Sequence, residues 1–184
     1  PDFFTAMRFI RPYKILKDKN YLSDEDDQLM QQTIKSGLDY ILQTQEWGPM
    51  NRSALRMETL AWALAALPHH PDATKWAVLH NALRQDNWGN WEIEDATVYH
   101  PVWLYALIGA AEASCELTAL FKLPEMYYYG QYFVNLMAPD GMIPDFGDAR
   151  YLENWARYLL WFEAAAKNYN SGENKWAAET IVNR

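Results

Sequence analysis

Apolar residues recur along this chain at intervals of three and four, the spacing that lines one face of an α-helix. The first such face carries Met30, Ile34, Leu38 and Ile41. The segment "SDEDDQ" opens that helix, with Ser23 placed to cap it and acids that suit the positive end of the helix dipole. A second helix follows Asn51 and runs through Leu55, Leu60, Trp62 and Leu64 to Leu67, where Pro68 stops it. Pro71 opens a third, with Trp76, Leu79 and Leu83 in register. A fourth starts near Pro101 and stays Ala-rich and apolar through Phe121, and Pro124 starts a fifth containing "YYYGQYFVNLM". Asp148 is placed to cap a sixth, with Leu152, Trp155, Leu159 and Phe162 on one side. Ser171-Gly172 separates it from a last helix holding Trp176 and Ile181. "PDG" at 139–141 reads as a turn, and no alternating run bounded by Asn-Gly or Asp-Gly competes for a hairpin. The pattern predicts an all-α fold of stacked antiparallel helical hairpins over 23–184, preceded by an N-terminal extension over 1–22.

The connections between helices alternate between long and short. "EWGPM" is followed by "PHH", the long "NWGNWEIEDATVYH" by "KL", and "APDGMIPDFG" by "NYNSG". Consecutive antiparallel helices place alternate connections at opposite ends of the stack. The three elaborate loops are therefore expected at one end, where a rigid scaffold favours functional residues. That end would gather Trp47, Asn51 and Arg52 from the first loop. The second would add Trp88, Trp91, Glu92, Glu94, Asp95, Tyr99 and His100, and the third Asp140, Asp145, Asp148 and Arg150.

Composition narrows the picture. At 184 residues, half of them apolar and with nine Trp and twelve Tyr, the chain carries too much apolar surface to stay disordered and suits one domain with a sizeable core. A formal charge of −8 without a basic stripe disfavours nucleic acid and anionic membrane surfaces. No apolar run has the length of a membrane span. Cys115 sits in an apolar helical pattern and is expected as a buried, inert thiol. The chain opens on Pro1 without a signal peptide, which reads as a mature or partial product.

The loop chemistry points to sugars. Indole faces stack on sugar rings, while carboxylates, amides and guanidinium groups bind hydroxyls. Glu92, Glu94 and Asp95 put three carboxylates within four residues; one could serve as an acid, or they could cap a helix and pair with a neighbouring cation. Tyr99 and His100 form the best titratable pair, with a packed Tyr beside a solvated His as the alternative. HExxH, CxxC, P-loop and GxSxG patterns are absent, so neither a metal nor a cofactor is expected.

The stretches "NWGNWEIEDATVYHPVWLYALI" and "PDGMIPDFGDARY" resemble the toroid domain of heparinase-II/III-like and alginate-lyase-like polysaccharide lyases, over roughly residues 45–168. The resemblance implies part of an (α/α) toroid, a ring of helical hairpins with its cleft at one end. It also implies β-elimination at a uronic acid in an oligo- or polysaccharide. Asn51 matches the residue that neutralises the sugar carboxylate, Arg52 stands where several such lyases have His, Tyr99 matches the catalytic Tyr, and His100 is a possible helper. Trp47, Trp88, Trp91, Glu94, Asp95, Asp145 and Arg150 would line the substrate. A periplasmic or secreted location follows from the same resemblance, as does a further chain or segment completing the ring. Two other readings stay open. The acidic loops would suit a glycoside hydrolase using Glu94 or Asp95 with Asp145. A helical scaffold that binds glycans without catalysis is the third.

Overall fold

The structure, a computed structural model, describes residues 9–44, 46–90, 99–145 and 154–183, with 154 and 155 described by their backbone alone. Among these residues the chain is all-helical, with no strand. In chain order the helices are α1 (Arg11–Asp18), α2 (Asp24–Gln43), α3 (Asn51–Ala66), α4 (Ala73–Asn87), α5 (His100–Ala113), α6 (Leu117–Leu120), α7 (Pro124–Leu136), α8 (Leu159–Tyr169) and α9 (Gly172–Val182). A 3-10 turn at Asn154–Tyr158 leads into α8.

Several boundaries follow from local chemistry. The Ser23 hydroxyl accepts the Asp26 N–H at 3.1 Å, and four acids occupy the first turn of α2. Ser171 caps α9 in the same way, accepting the Asn174 N–H at 3.2 Å. Pro101 and Pro124 sit in the first turns of α5 and α7, where a missing N–H costs nothing. The predicted turn at Pro139–Gly141 is formed: Gly141 has φ +88°, and the Met142 N–H is held by Asp140 Oδ1 at 3.1 Å.

Two helices make the centre. Every residue of α3 from Ser53 to Ala63 is buried, and so is α5 from His100 to Ala111 apart from Tyr105. A helix apolar on nearly all sides must be enclosed on all sides. The two run parallel. Ser53 near the start of α3 and Trp103 near the start of α5 share a bridging residue, Asn87. Further along, Glu58 lies against Gly109, and Arg11 of α1 reaches both Trp62 and Glu112. α4 returns along α3 after the tight turn at 67–72, and α9 returns along α8 after the turn at 170–171. Trp103 is fully enclosed, a burial that stabilises by about 2–3 kcal/mol for a large apolar side chain.

Three features differ from expectation. The fourth helix stops at Ala113 instead of reaching Phe121. There Cys115 turns left-handed at φ +58°, and the Glu116 N–H closes back on the Ala111 carbonyl at 2.7 Å. Cys115 is consequently exposed, not the buried thiol its neighbours suggested. The region read as an extension contains α1, whose Tyr13 is fully buried and donates to Asp27 Oδ1 at 2.6 Å. No described helix is long and apolar enough to cross a membrane.

Candidate functional site

The residues expected to act converge most clearly where α3 and α5 begin. Asn87, the last residue of α4, is the hub. Its Nδ2 donates to Ser53 Oγ at 2.9 Å and to the Leu83 carbonyl at 2.9 Å, while its Oδ1 accepts the Trp103 indole N–H at 2.9 Å. Ser53 in turn donates to the Gly48 carbonyl, and Gly48 N–H is held by Asp86 at 3.1 Å. A fully satisfied buried network of this kind fixes relative position. It sets the start of α3 and its Asn51–Arg52 pair beside the start of α5 and its Tyr99–His100 pair.

Neither helix start has a side-chain cap, and neither carries an acid in its first turn. The positive dipole ends of two neighbouring helices make this corner receptive to an anion. Asn51 is buried, and Arg52 is half exposed with its guanidinium 2.5 Å from Glu46. Glu46 also faces Arg56 at 3.6 Å, so one carboxylate faces two cations. Tyr99 is partly buried at the first turn of α5.

His100 is placed differently from its neighbour. Its ring is enclosed by Trp103, Tyr129, Phe133 and Tyr158, with centroids 4.6–6.3 Å away. It is 1% exposed, and neither nitrogen has a hydrogen-bond partner. Burial alone pushes its pKa down to about 3, so the imidazole stays neutral at ordinary pH. The helper role expected of His100 conflicts with this enclosure: an aromatic box gives its proton nowhere to go. The Tyr158 hydroxyl beside it is likewise buried without a partner, and burial, reinforced by Tyr132 and Asp145, raises its pKa. Asp145, expected to line substrate, is therefore close enough to act on this aromatic cluster.

Other expected residues lie elsewhere. Trp47 is half exposed but lies in a groove with Leu42, Thr74, Val78 and Leu79, along the N-terminal half of α4. The next residue, Gly48, is bonded to Asp86 and Ser53, so the chain at Trp47 adjoins the corner while its ring lies along α4. The Trp88 ring carries the Arg84 guanidinium at 4.4 Å, and Arg84 also bonds Glu116 at 3.0 Å. That face of Trp88 is covered and cannot stack on a sugar. Gly89, at φ +63°, passes so close to Leu123 that a Cβ would come within 2.9 Å of its methyl. A long connection thus touches a short one, and the separation of long and short loops into two poles is incomplete. Asp140 accepts the Met142 N–H within its own turn. Trp91, Glu92, Glu94, Asp95, Asp148 and Arg150 lie outside the described residues. Among the described residues no group of His, Cys, Asp and Glu is arranged to hold a metal ion.

A polar residue that the periodicity absorbed without comment is Glu58, at the centre of α3. It is fully buried, and neither carboxyl oxygen has a hydrogen-bond partner. Burial pushes its pKa up to about 8, against the pull of Arg11 and the nearby Trp62 indole and with a further upward push from Glu112. An acid lodged in "LRMETLAWALAAL" was the signal available in the sequence. Compared with known proteins, the chain matches no family model, no curated protein and no solved structure.

Proposed function

We propose that this chain acts on a uronic-acid-containing oligo- or polysaccharide by β-elimination at the paired starts of α3 and α5. The observation that carries the reading is the Asn87 bridge, which holds Asn51–Arg52 and Tyr99 on neighbouring parallel helices. Two uncapped helix starts supply a local positive field that the net charge of −8 conceals. The substrate carboxylate takes the place of Glu46 on Arg52, with the Asn51 amide at the base of the corner. Neutralising that carboxylate acidifies the proton on C5. Tyr99 removes it and passes it on: the C4–O bond breaks with its electron pair on the leaving oxygen, a C4=C5 double bond forms, and that oxygen takes up the proton. The resemblance in the two loop stretches supports the same assignment, and with it a partial (α/α) toroid that a further chain or segment would complete.

The test is direct. Incubation with uronic-acid glycans should generate an unsaturated product absorbing in the far ultraviolet, and Tyr99→Phe should lower its rate by about 10²–10⁴-fold while glycan binding persists. Near-normal turnover in that variant removes Tyr99 from the mechanism. New reducing ends without the chromophore would favour hydrolysis instead.

A further inference from the structure

Beyond the helix starts, the buried Glu58 faces a second concavity. A cavity of about 340 Å³ opens between α5 and α8, lined by Arg11, Glu58, Tyr105, Glu112, Glu163 and Lys167, with Gly109 in its wall. Gly109 is required there: a Cβ would stand 2.1 Å from a Glu58 oxygen, so the carboxyl occupies the space where α5 would otherwise carry a side chain. We propose that this cavity is a binding site for a small organic cation, an ammonium group on an apolar body, received by the Glu58 carboxylate.

The charges around Glu58 favour that ligand class. Arg11 of α1, Trp62 of its own helix and Glu112 of α5 act on it directly, and Tyr105 of α5 with Glu163 and Lys167 of α8 line the same cavity. Arg11 is held by Glu112 at 2.7 Å and lies over the Trp62 ring at 5.4 Å, so it serves Glu58 through its field and not through a hydrogen bond. The nearby Trp62 indole N–H pulls the Glu58 pKa down and can serve one oxygen. At least one buried acceptor oxygen is left for a donor from outside the protein. With Glu58 ionised, the lining holds three carboxylates, Glu58, Glu112 and Glu163, against two cations, Arg11 and Lys167. One monovalent cation brings the cavity to neutrality. Ile108 and Leu160 in the lining, with the ring of Tyr105, suit the carbon body of such a ligand.

Binding carries a proton signature. Glu58 is protonated at neutral pH, so an arriving ammonium converts the acid to a carboxylate and sends its proton to solvent. Affinity therefore climbs about tenfold per pH unit until Glu58 is ionised in the free protein near pH 8. This inference is independent of the elimination reading.

Three probes of one shape test it on the full chain: cyclohexylammonium, cyclohexanol and cyclohexanecarboxylate. Calorimetry in two buffers of different ionisation enthalpy, with NMR shifts at Gly109 and Tyr105, should show the cation alone binding, with release of up to one proton. From about pH 6 to about pH 8 its affinity should rise up to about a hundredfold, and Glu58→Gln should abolish that dependence. Equal binding of the alcohol, cation binding without proton release, or no shift at Gly109 and Tyr105 with any probe each overturns the proposal. Should Glu58→Gln fail to fold, the wild-type proton count and probe selectivity decide the matter by themselves.

Discussion

Two buried ionisable side chains meet α5 at different levels, and they respond to burial in opposite ways. His100, at its first turn, sits among Trp103, Tyr129, Phe133 and Tyr158 with no charged group among the causes of its shift. Glu58 meets the same helix at Gly109, beside Arg11 and Glu112 and at the edge of a cavity. Both lack hydrogen-bond partners, and both are neutral near pH 7 because desolvation penalises the charged form. The difference is what surrounds them. A closed aromatic box makes a packing residue of His100, whereas space and charge make Glu58 a receptor. A third buried polar residue, Asn87, shows what a purely positional role looks like: its amide is fully used.

The comparison breaks or holds on the pH dependence of stability, because the two groups bias folding in opposite directions. The folded pKa of His100 is about 3 and its unfolded value 6.5, so stability from this group is lost as pH falls from 6.5 to 3. Glu58 has a folded pKa of about 8 and an unfolded value of 4.5, so its contribution is complete below 4.5 and is lost as pH rises to 8. Between 4.5 and 6.5 the two slopes cancel. Urea denaturation should therefore show a plateau in that window and a fall on either side. Asp27, held below its usual value, steepens the acid side, and His80, held below 6.5, gives the plateau a shallow fall toward acid.

The largest effects are expected at these two buried groups, and His100→Leu tests the acid side. It should remove roughly a tenfold change in the folding equilibrium per pH unit over the acid limb, turning the plateau into a slope that rises toward acid. An unchanged acid limb would mean that His100 is not buried neutral. Glu58→Gln should do the converse over an equal span, flattening the fall between 6.5 and 8 at the same tenfold per unit. A persisting alkaline fall in that variant would return Glu58 to the ordinary carboxylate range.

Much of the scaffold was legible in the chain and little of this proton chemistry. Ser23, Pro68 and Ser171 mark helix ends because caps and proline act within a turn or two of themselves. α1 escaped the pattern because its core contact is a polar aromatic, Tyr13, tied to Asp27 across the chain. Cys115 escaped because a left-handed residue is expected to be Gly or Asn, as Asn20 and Asn170 are here. At the site, the neighbouring starts of α3 and α5 followed from helix alternation. The enclosure of His100 did not, since it depends on Phe133 and Tyr158 from distant helices. Trp47 and Trp88 illustrate the same limit: their types suit sugar stacking, but Arg84 and the flank of α4 decide which faces remain open.

The smallest expected effect sharpens the comparison most, because it separates a group governed by charge from one governed by burial alone. Arg11 and Glu112 form an exposed pair whose stability contribution is below about 1 kcal/mol. Their fields on Glu58 nevertheless have opposite signs, Arg11 holding its pKa down and Glu112 pushing it up. Arg11→Met should move the midpoint of the alkaline limb upward, and Glu112→Gln should move it downward. Each shift should stay below about one pH unit and shrink with added salt, since both side chains are partly solvated. The acid limb should stay in place in both variants, because no charge contributes to the His100 shift. If the acid midpoint moves with Arg11 or Glu112, the two ends of α5 are electrostatically coupled and His100 cannot be the isolated packing residue its surroundings describe.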